Sequence, residues 1–184
     1  MVPYRAVRPW ALALAGLLLL AAGAGVAPGG LELTVTRIDT GEELWTAQLE
    51  PGERFTLRYV HSVDRAPIWE VHSIDENGDI FVEVERFVMI GAGMGDLPGR
   101  GRWTGADGLQ AIEDLHYRVG EFVLRVGSAG VDHTLLWRGT ETNLSELAAG
   151  EAVLVSGRPV SQLHRIWRYL LPHPATPRLG AAHD

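Results

Sequence analysis

Apolar and polar residues alternate through most of the chain after residue 30, and frequent turn signals interrupt the alternation. Leu31, Leu33 and Val35 alternate with polar residues, and the same period of two returns over residues 54–61. A period of two places successive side chains on opposite faces of a strand, whereas an amphipathic helix needs apolar residues every three or four positions. The pattern therefore predicts short strands with one buried face.

Turn signals separate these segments, among them Asp39-Thr40-Gly41, Pro51-Gly52 and Asn77-Gly78. Asn-Gly favours a two-residue hairpin turn because both central residues need a positive φ. Many short strands with frequent turns predict an all-β fold, either an antiparallel sandwich or a partly open barrel. The predicted strands are 31–36, 43–49, 54–61, 68–74, 80–88, 115–119, 121–126, 132–137 and 152–155, with a long loop at 91–108 and a segment at 143–149 that fits a short helix or an irregular edge.

The first thirty residues follow a different pattern. Arg5 and Arg8 precede an uncharged, apolar run from Ala11 to Ala27. This layout predicts an N-terminal apolar helix that serves as a signal peptide or a membrane anchor, and both roles are open. Because positive residues tend to stay in the cytoplasm, we expect residues 1–29 to direct the rest of the chain outward. The protein is then periplasmic, or anchored in the inner membrane through residues 10–27 with its domain in the periplasm.

After Pro159 the period becomes helical, with Leu163, Trp167 and Leu170 on one face. We expect one β-domain over residues 30–158, a C-terminal amphipathic helix over 159–172 and a flexible tail over 173–184. Two roles are open for the helix. Its apolar face closes one end of the sheet, or it docks on a membrane surface or a partner protein.

Composition excludes several classes of function. The chain has no cysteine, which excludes disulfides, cysteine nucleophiles, iron–sulfur clusters and thiolate zinc sites. Its net charge of -7 and the lack of a basic stripe argue against nucleic acid as a partner.

The densest group of chemically active side chains lies between Tyr59 and His72. Symmetric pairing across a loop at residues 62–67 predicts Tyr59 opposite Glu70 and Leu57 opposite His72, with His61 diagonal to Glu70. A two-residue turn at Asn77-Gly78 would further place Glu70 opposite Glu85 and His72 opposite Glu83. Side chains at that spacing could form a hydrogen-bonded structural pair, a ligand or partner site, or an acid–base or metal centre.

Two other motifs are weaker. A hydrolytic triad is excluded because the adjacent residues His61 and Ser62 would point to opposite faces of a strand. Gly91-Ala92-Gly93 does not open a helix, since Leu97-Pro98-Gly99 follows, and it fits a tight turn beside the central hairpin instead.

Several of these residues together resemble a known family. Tyr59-Val60-His61-Ser62-Val63, Pro67, Glu70, Phe87 and Gly91-Ala92-Gly93 are similar to the bacterial domain-of-unknown-function family 1850, over about residues 31 to 157. Members of that family are small exported or membrane-anchored proteins, and their genes commonly sit beside those of TRAP-type transporters of the TAXI class. The resemblance thus implies an accessory role in solute uptake, with a transporter permease or solute-binding protein as partner.

No catalytic residue is established for that family, so none is carried over to this chain, and the cofactor and metal are unknown. The alternative hypothesis is a periplasmic enzyme that depends on a metal or on acid–base chemistry and uses His61, Glu70 and His72. The residues predicted to form a ligand-binding or structural cluster are Tyr59, His61, Ser62, Pro67, Glu70, His72, Gly91 and Gly93.

Overall fold

A computed structural model of the chain describes residues 27–88, 101–106 and 108–170, together with a few helical positions between residues 10 and 25. Most of the predicted signal or anchor segment, both loop glycines Gly91 and Gly93, and the predicted tail lie outside the described residues. Among the residues that are described, no helix is long and apolar enough to cross a membrane.

Between residues 27 and 170, the described part of the chain forms two antiparallel sheets and two short helices. The smaller sheet has the strand order β2-β1-β12-β9, and the larger has the order β11-β10-β3-β4-β5-β7-β6, with β8 beside β5. This confirms the predicted all-β antiparallel fold, and neither sheet closes into a barrel. In chain order the elements are β1 (Pro28–Arg37), β2 (Glu43–Leu49), β3 (Arg54–Val60), β4 (Pro67–Ile74), β5 (Ile80–Phe87), β6 (Arg102–Ala106), β7 (Leu109–Glu113), β8 (Tyr117–Arg118), β9 (Phe122–Arg125), β10 (Thr134–Trp137), β11 (Thr140–Asn143), α1 (Leu144–Ala148), β12 (Ala152–Ser161) and α2 (Gln162–Leu170).

The hydrophobic core lies between the two sheets. Alternation along β1 turns Leu33 and Val35 inward, where both are fully buried in the same cluster as Phe55 of β3. Trp45 of the smaller sheet meets Trp137 of the larger one edge to face, with 6.0 Å between ring centroids. We call the face of each sheet that carries these residues its inner face.

The C-terminal half departs from the predicted strands. Residues 102–106, expected in a loop, form β6, and β7 lies at 109–113, where no strand was expected. The strand expected at 115–119 is present only as the two-residue β8. In β7 the adjacent residues Ala111 and Ile112 are both buried, so the strand lacks the period of two that a half-buried strand shows.

Two further boundaries differ at the C-terminal end. β12 continues through Pro159 to Ser161, so the helix expected from residue 159 begins at Gln162. Proline is tolerated there because Pro159 lies opposite Leu31, at the edge of the irregular stretch of β1 between Pro28 and Leu31. The ambiguous segment at 143–149 is the helix α1, whose N-cap Asn143 accepts a hydrogen bond from the Glu146 N–H.

The turn between β4 and β5 touches the smaller sheet through two glycines. Gly78 has a φ of +89°, and a Cβ added to it would lie 2.6 Å from the carbonyl oxygen of Gly157 in β12. The turn is wider than the expected two residues, since the Asp75 N–H donates to the Asp79 carbonyl at 2.9 Å. The two backbones therefore approach as closely as glycine alone permits.

A buried carboxylate attaches α2 to the outer face of the smaller sheet. Glu32 of β1 has a side chain only 1% exposed, and it contacts His164 at 2.8 Å and Arg168 at 3.0 Å from α2. Arg158 of β12 contacts its other oxygen at 2.5 Å. Burial raises the pKa of Glu32, but hydrogen bonds from His164 and Arg158 outweigh it and leave the pKa below its usual range. Glu32 is thus a charged group held by two arginines and a histidine.

Candidate functional site

β3 and β4 pair two residues away from the predicted register. Leu57 lies opposite Glu70 and Phe55 lies opposite His72, so the predicted pairs of Tyr59 with Glu70 and of Leu57 with His72 were wrong. A shift of two residues keeps every side chain on its face, whereas a shift of one would invert them. Tyr59, Glu70 and His72 therefore still share the inner face.

His61 belongs to the loop between these strands and not to β3. Its backbone N–H donates to the Ala66 carbonyl at 2.8 Å, and its Nδ1 lies 2.9 Å from an oxygen of Asp64. Ser62 is exposed in the same loop, and Pro67 begins β4 opposite Val60. His61 thus closes the loop 61–66 and does not join Glu70 and His72 in one centre.

Tyr59 and Glu70 form the middle of a polar cluster inside the sandwich. The Tyr59 hydroxyl donates to Glu70 Oε1 at 2.7 Å, and Glu70 lies directly opposite Glu85 of β5, as predicted. Burial raises the pKa of Glu70 against the opposing hydrogen bond from Tyr59, and the nearby Glu85 raises it further. Burial also raises the pKa of Glu85. Two facing carboxyl groups with raised pKa values hold a proton more firmly than free glutamates do.

His72 extends the cluster toward the smaller sheet. Its Nδ1–H donates to the Glu70 carbonyl at 3.1 Å, which assigns the proton to that nitrogen because a carbonyl only accepts. The ring stacks between Phe55 and Phe122 of β9, with centroids 5.0 Å and 5.6 Å away. Burial lowers the pKa of His72 to about 4, so the imidazole is neutral at pH 7. This histidine packs the two sheets together.

A β-bulge removes Glu83 from the cluster. The register between β4 and β5 shifts between Val71 and His72, so His72 faces Val82 and the predicted pairing with Glu83 was wrong. Glu83 instead accepts a hydrogen bond from the Ser73 hydroxyl at 2.6 Å and contacts His116 at 2.9 Å. The extra residue turns Glu83 to the outer face while leaving Glu85 on the inner one.

His133 is a member of the cluster that we did not predict. Its ring lies 5.1 Å from the Tyr59 ring, and its Nδ1 accepts a hydrogen bond from the Gly127 N–H at 2.8 Å. Burial lowers its pKa. The sequence carried a signal for it, because His133 shares the odd-numbered face with Leu135 and Trp137, which are buried. We call Tyr59, Glu70, His72, Glu85 and His133 the inner cluster.

The inner cluster is built mainly from groups that satisfy one another. Glu70 accepts from Tyr59 through its side chain and from His72 through its backbone. His72 Nε2 lies 3.8 Å from Glu70 Oε2, beyond hydrogen-bond distance. Nowhere in the described ranges do three or more His, Asp or Glu side chains form a group that could hold a metal ion.

We expect the stability of the fold to drop as the pH falls from about 6.5 to 4, because of His72. Its folded pKa of about 4 lies below the unfolded value, so the unfolded chain takes up the proton first and is favoured in that window. The loss attributable to His72 is on the order of 3 kcal/mol. Urea unfolding at several pH values measures it.

The matched variant is His72→Phe, which keeps a ring between Phe55 and Phe122 but cannot titrate. Its stability is expected to depend less on pH than that of the parent chain over this window. The raised pKa values of Glu70 and Glu85 act in the opposite direction, but they are present in both proteins. Equal pH dependence in the two proteins would contradict the role assigned to His72.

Comparison with known proteins gives one match. A family model described as Domain of unknown function (DUF1850) matches residues 55–144. No curated protein and no solved structure matches the chain. The match confirms the family resemblance, runs from β3 to the first residue of α1, and includes every member of the inner cluster.

Proposed function

Residues 55–144 of this chain belong to the family described as Domain of unknown function (DUF1850), and we propose that the protein is an extracytoplasmic accessory to a solute transporter of the TRAP type and TAXI class. In this proposal the β-domain contacts the permease or the solute-binding protein. The N-terminal segment holds the domain at the inner membrane or releases it into the periplasm.

The observation that supports a binding role over catalysis is that the side chains of the inner cluster contact one another and leave His72 covered. The Tyr59 hydroxyl is hydrogen-bonded to Glu70. The His72 ring is 2% exposed and is covered on both faces by aromatic rings. A catalytic centre needs its reacting atoms within reach of a substrate. With these atoms directed at one another, the domain is better suited to act through its surfaces.

Two features of the sequence support the location and the partner. Arg5 and Arg8 before the apolar run 11–27 are typical of a segment that directs a domain outward. The family resemblance implies genes beside those of TAXI transporters. The enzyme alternative gains no support from the site, because His61 has its contacts in the loop 61–66 and not with Glu70 or His72.

Purification of the tagged, full-length protein from its native membranes tests this proposal. We expect the permease or the solute-binding protein of a TAXI-type transporter to copurify with it. The matched control is a fusion of residues 1–30 to the same tag, which keeps the N-terminal segment but lacks the β-domain. Copurification with the parent chain alone would assign the contact to the folded β-domain.

Solute uptake provides the second measurement. Deleting the gene, in a strain without a second copy, is expected to reduce uptake of the solute that the transporter carries. Unchanged uptake together with the absence of transporter subunits from the purified material would refute the accessory role.

A further inference from the structure

The helix α2 presents its apolar face away from the domain. Leu163, Trp167 and Leu170 share one face by their spacing of three and four residues. They are 49%, 62% and 65% exposed, and Ile166 on the same face is 49% exposed. No residue of this helix is buried. A helix on a globular domain ordinarily turns this face toward the core, so the exposed face of α2 requires another occupant.

The charged face of α2 is already used by the domain. His164 and Arg168 contact the buried Glu32, and Arg165 contacts Glu50 at 3.2 Å. Arg168 also reaches Glu43 at 2.6 Å. These ion pairs fix the rotation of the helix about its axis, so the apolar face cannot turn inward without breaking them. The face left to the outside is therefore apolar and aromatic.

The start of α2 lies against the end of the N-terminal apolar run. The Gln162 N–H donates to the Ala27 carbonyl at 2.9 Å, and the Gln162 side chain donates to the Pro28 carbonyl at 2.9 Å. Arg165, one turn further on, donates to the Gly29 carbonyl at 3.3 Å. A helix of this length extends only about 14 Å, so all of its apolar face lies close to the point where residues 11–27 end.

We infer that α2 lies on the surface of the lipid bilayer, with Leu163, Trp167 and Leu170 in the boundary between headgroups and acyl chains. The inference rests on the proposed insertion of residues 10–27, which would bring residue 27, and with it the first turn of α2, to the membrane surface. Lipid is favoured over a protein partner because the insertion of residues 10–27 already places the apolar face of α2 at the bilayer, with no further component needed. Trp167 and the neighbouring Tyr169 are also the residue types that concentrate at this depth.

A single introduced cysteine tests this placement, since the chain has no cysteine of its own. Leu170→Cys carries a nitroxide label in the full-length protein, reconstituted into vesicles of phosphatidylethanolamine and phosphatidylglycerol. We expect the label to relax strongly with oxygen, which concentrates in lipid, and weakly with a water-soluble nickel chelate. The matched control is Val63→Cys in the loop between β3 and β4 of the larger sheet, which is 75% exposed and is expected to show the opposite preference.

Three results would overturn the placement of α2. A label at residue 170 that meets the nickel chelate as readily as the label at residue 63, in vesicle-bound protein, refutes docking but leaves the membrane attachment intact. A label shielded from both reagents means that protein covers the face, either a second copy or the N-terminal segment. Full-length protein that does not bind vesicles at all counts against both the attachment and the docking of α2.

Discussion

Replacing Gly78 by alanine is expected to lower the free energy of unfolding by about 4 kcal/mol. Gly78 has a φ of +89°, which disfavours any residue with a Cβ. The new methyl group would also lie 2.6 Å from the carbonyl oxygen of Gly157 and 2.8 Å from the Cα of Arg158. Both are backbone atoms of β12, so relief requires the turn and the smaller sheet to separate. Urea unfolding measures the loss.

Gly41→Ala separates the two causes. Gly41 has a φ of +72°, but no atom would lie within 4 Å of an added Cβ. Its substitution therefore measures only the cost of placing a residue with a Cβ at a positive φ, which is about 1 kcal/mol. Equal losses for the two variants would show that the contact between Gly78 and Gly157 does not constrain the sandwich.

The second large effect is expected for Glu32→Gln, with a loss of 3 to 5 kcal/mol as an order of magnitude. The substitution keeps the shape of the side chain but removes the negative charge that Arg158, His164 and Arg168 share. Glu32 is 1% exposed and its partner Arg168 only 18%, so water cannot fully solvate the charge of Arg168 once the carboxylate is lost. Urea unfolding followed by circular dichroism measures the loss, and we expect α2 to detach before the sheets separate.

The control for this variant is Glu50→Gln, which also removes a carboxylate paired with α2. The side chain of Glu50 is 59% exposed, and that of its partner Arg165 is 45% exposed. Exposed pairs contribute little, so the loss should be much smaller than that for Glu32. A loss for Glu32→Gln no larger than that for Glu50→Gln would show that the ion pairs of Glu32 are dispensable.

The sequence predicted which side chains of the central strands share a face, but not which residues lie opposite each other across the strands. A period of two assigns Tyr59, Glu70 and His72 to one face whatever the register, so their grouping was predictable. The register depended on the loop 61–66, whose hydrogen bonds from His61 and Arg65 no periodicity reveals. The predicted pairing of Tyr59 with Glu70 failed across the strands, yet the two side chains meet diagonally at 2.7 Å.

The bulge in β5 marks another limit of such patterns. A single extra residue placed Glu83 outside and kept Glu85 inside, although both stand at odd positions of an apparently regular strand. Nothing in the residue types around Val82 and Val84 distinguishes a bulge from a continuous ladder. The two predicted pairs lie on opposite sides of the bulge. The pair of Glu70 with Glu85 was therefore correct, and the pair of His72 with Glu83 was wrong.

The helix α2 was recognisable from its period, but its orientation was not. The spacing of Leu163, Trp167 and Leu170 gives an apolar face, and such a face normally turns to the core. The apolar face of α2 points outward because Glu32 binds His164 and Arg168 on the opposite face of the helix. Glu32 lies far away in the sequence, on the outer face of β1. Glu32 reads in the sequence as an ordinary solvent-facing residue of an alternating strand.

The pairing of the first and last strands has a mechanical consequence. Pro28 at the start of β1 lies opposite Ser161 at the end of β12, so the chain enters and leaves the sandwich at one corner. Tension between these two ends would load the ladder one hydrogen-bonded pair at a time from that corner, and would not shear all of its bonds together. The domain should therefore yield to a low pulling force in this direction, with β1 peeling from β12 before the larger sheet is strained.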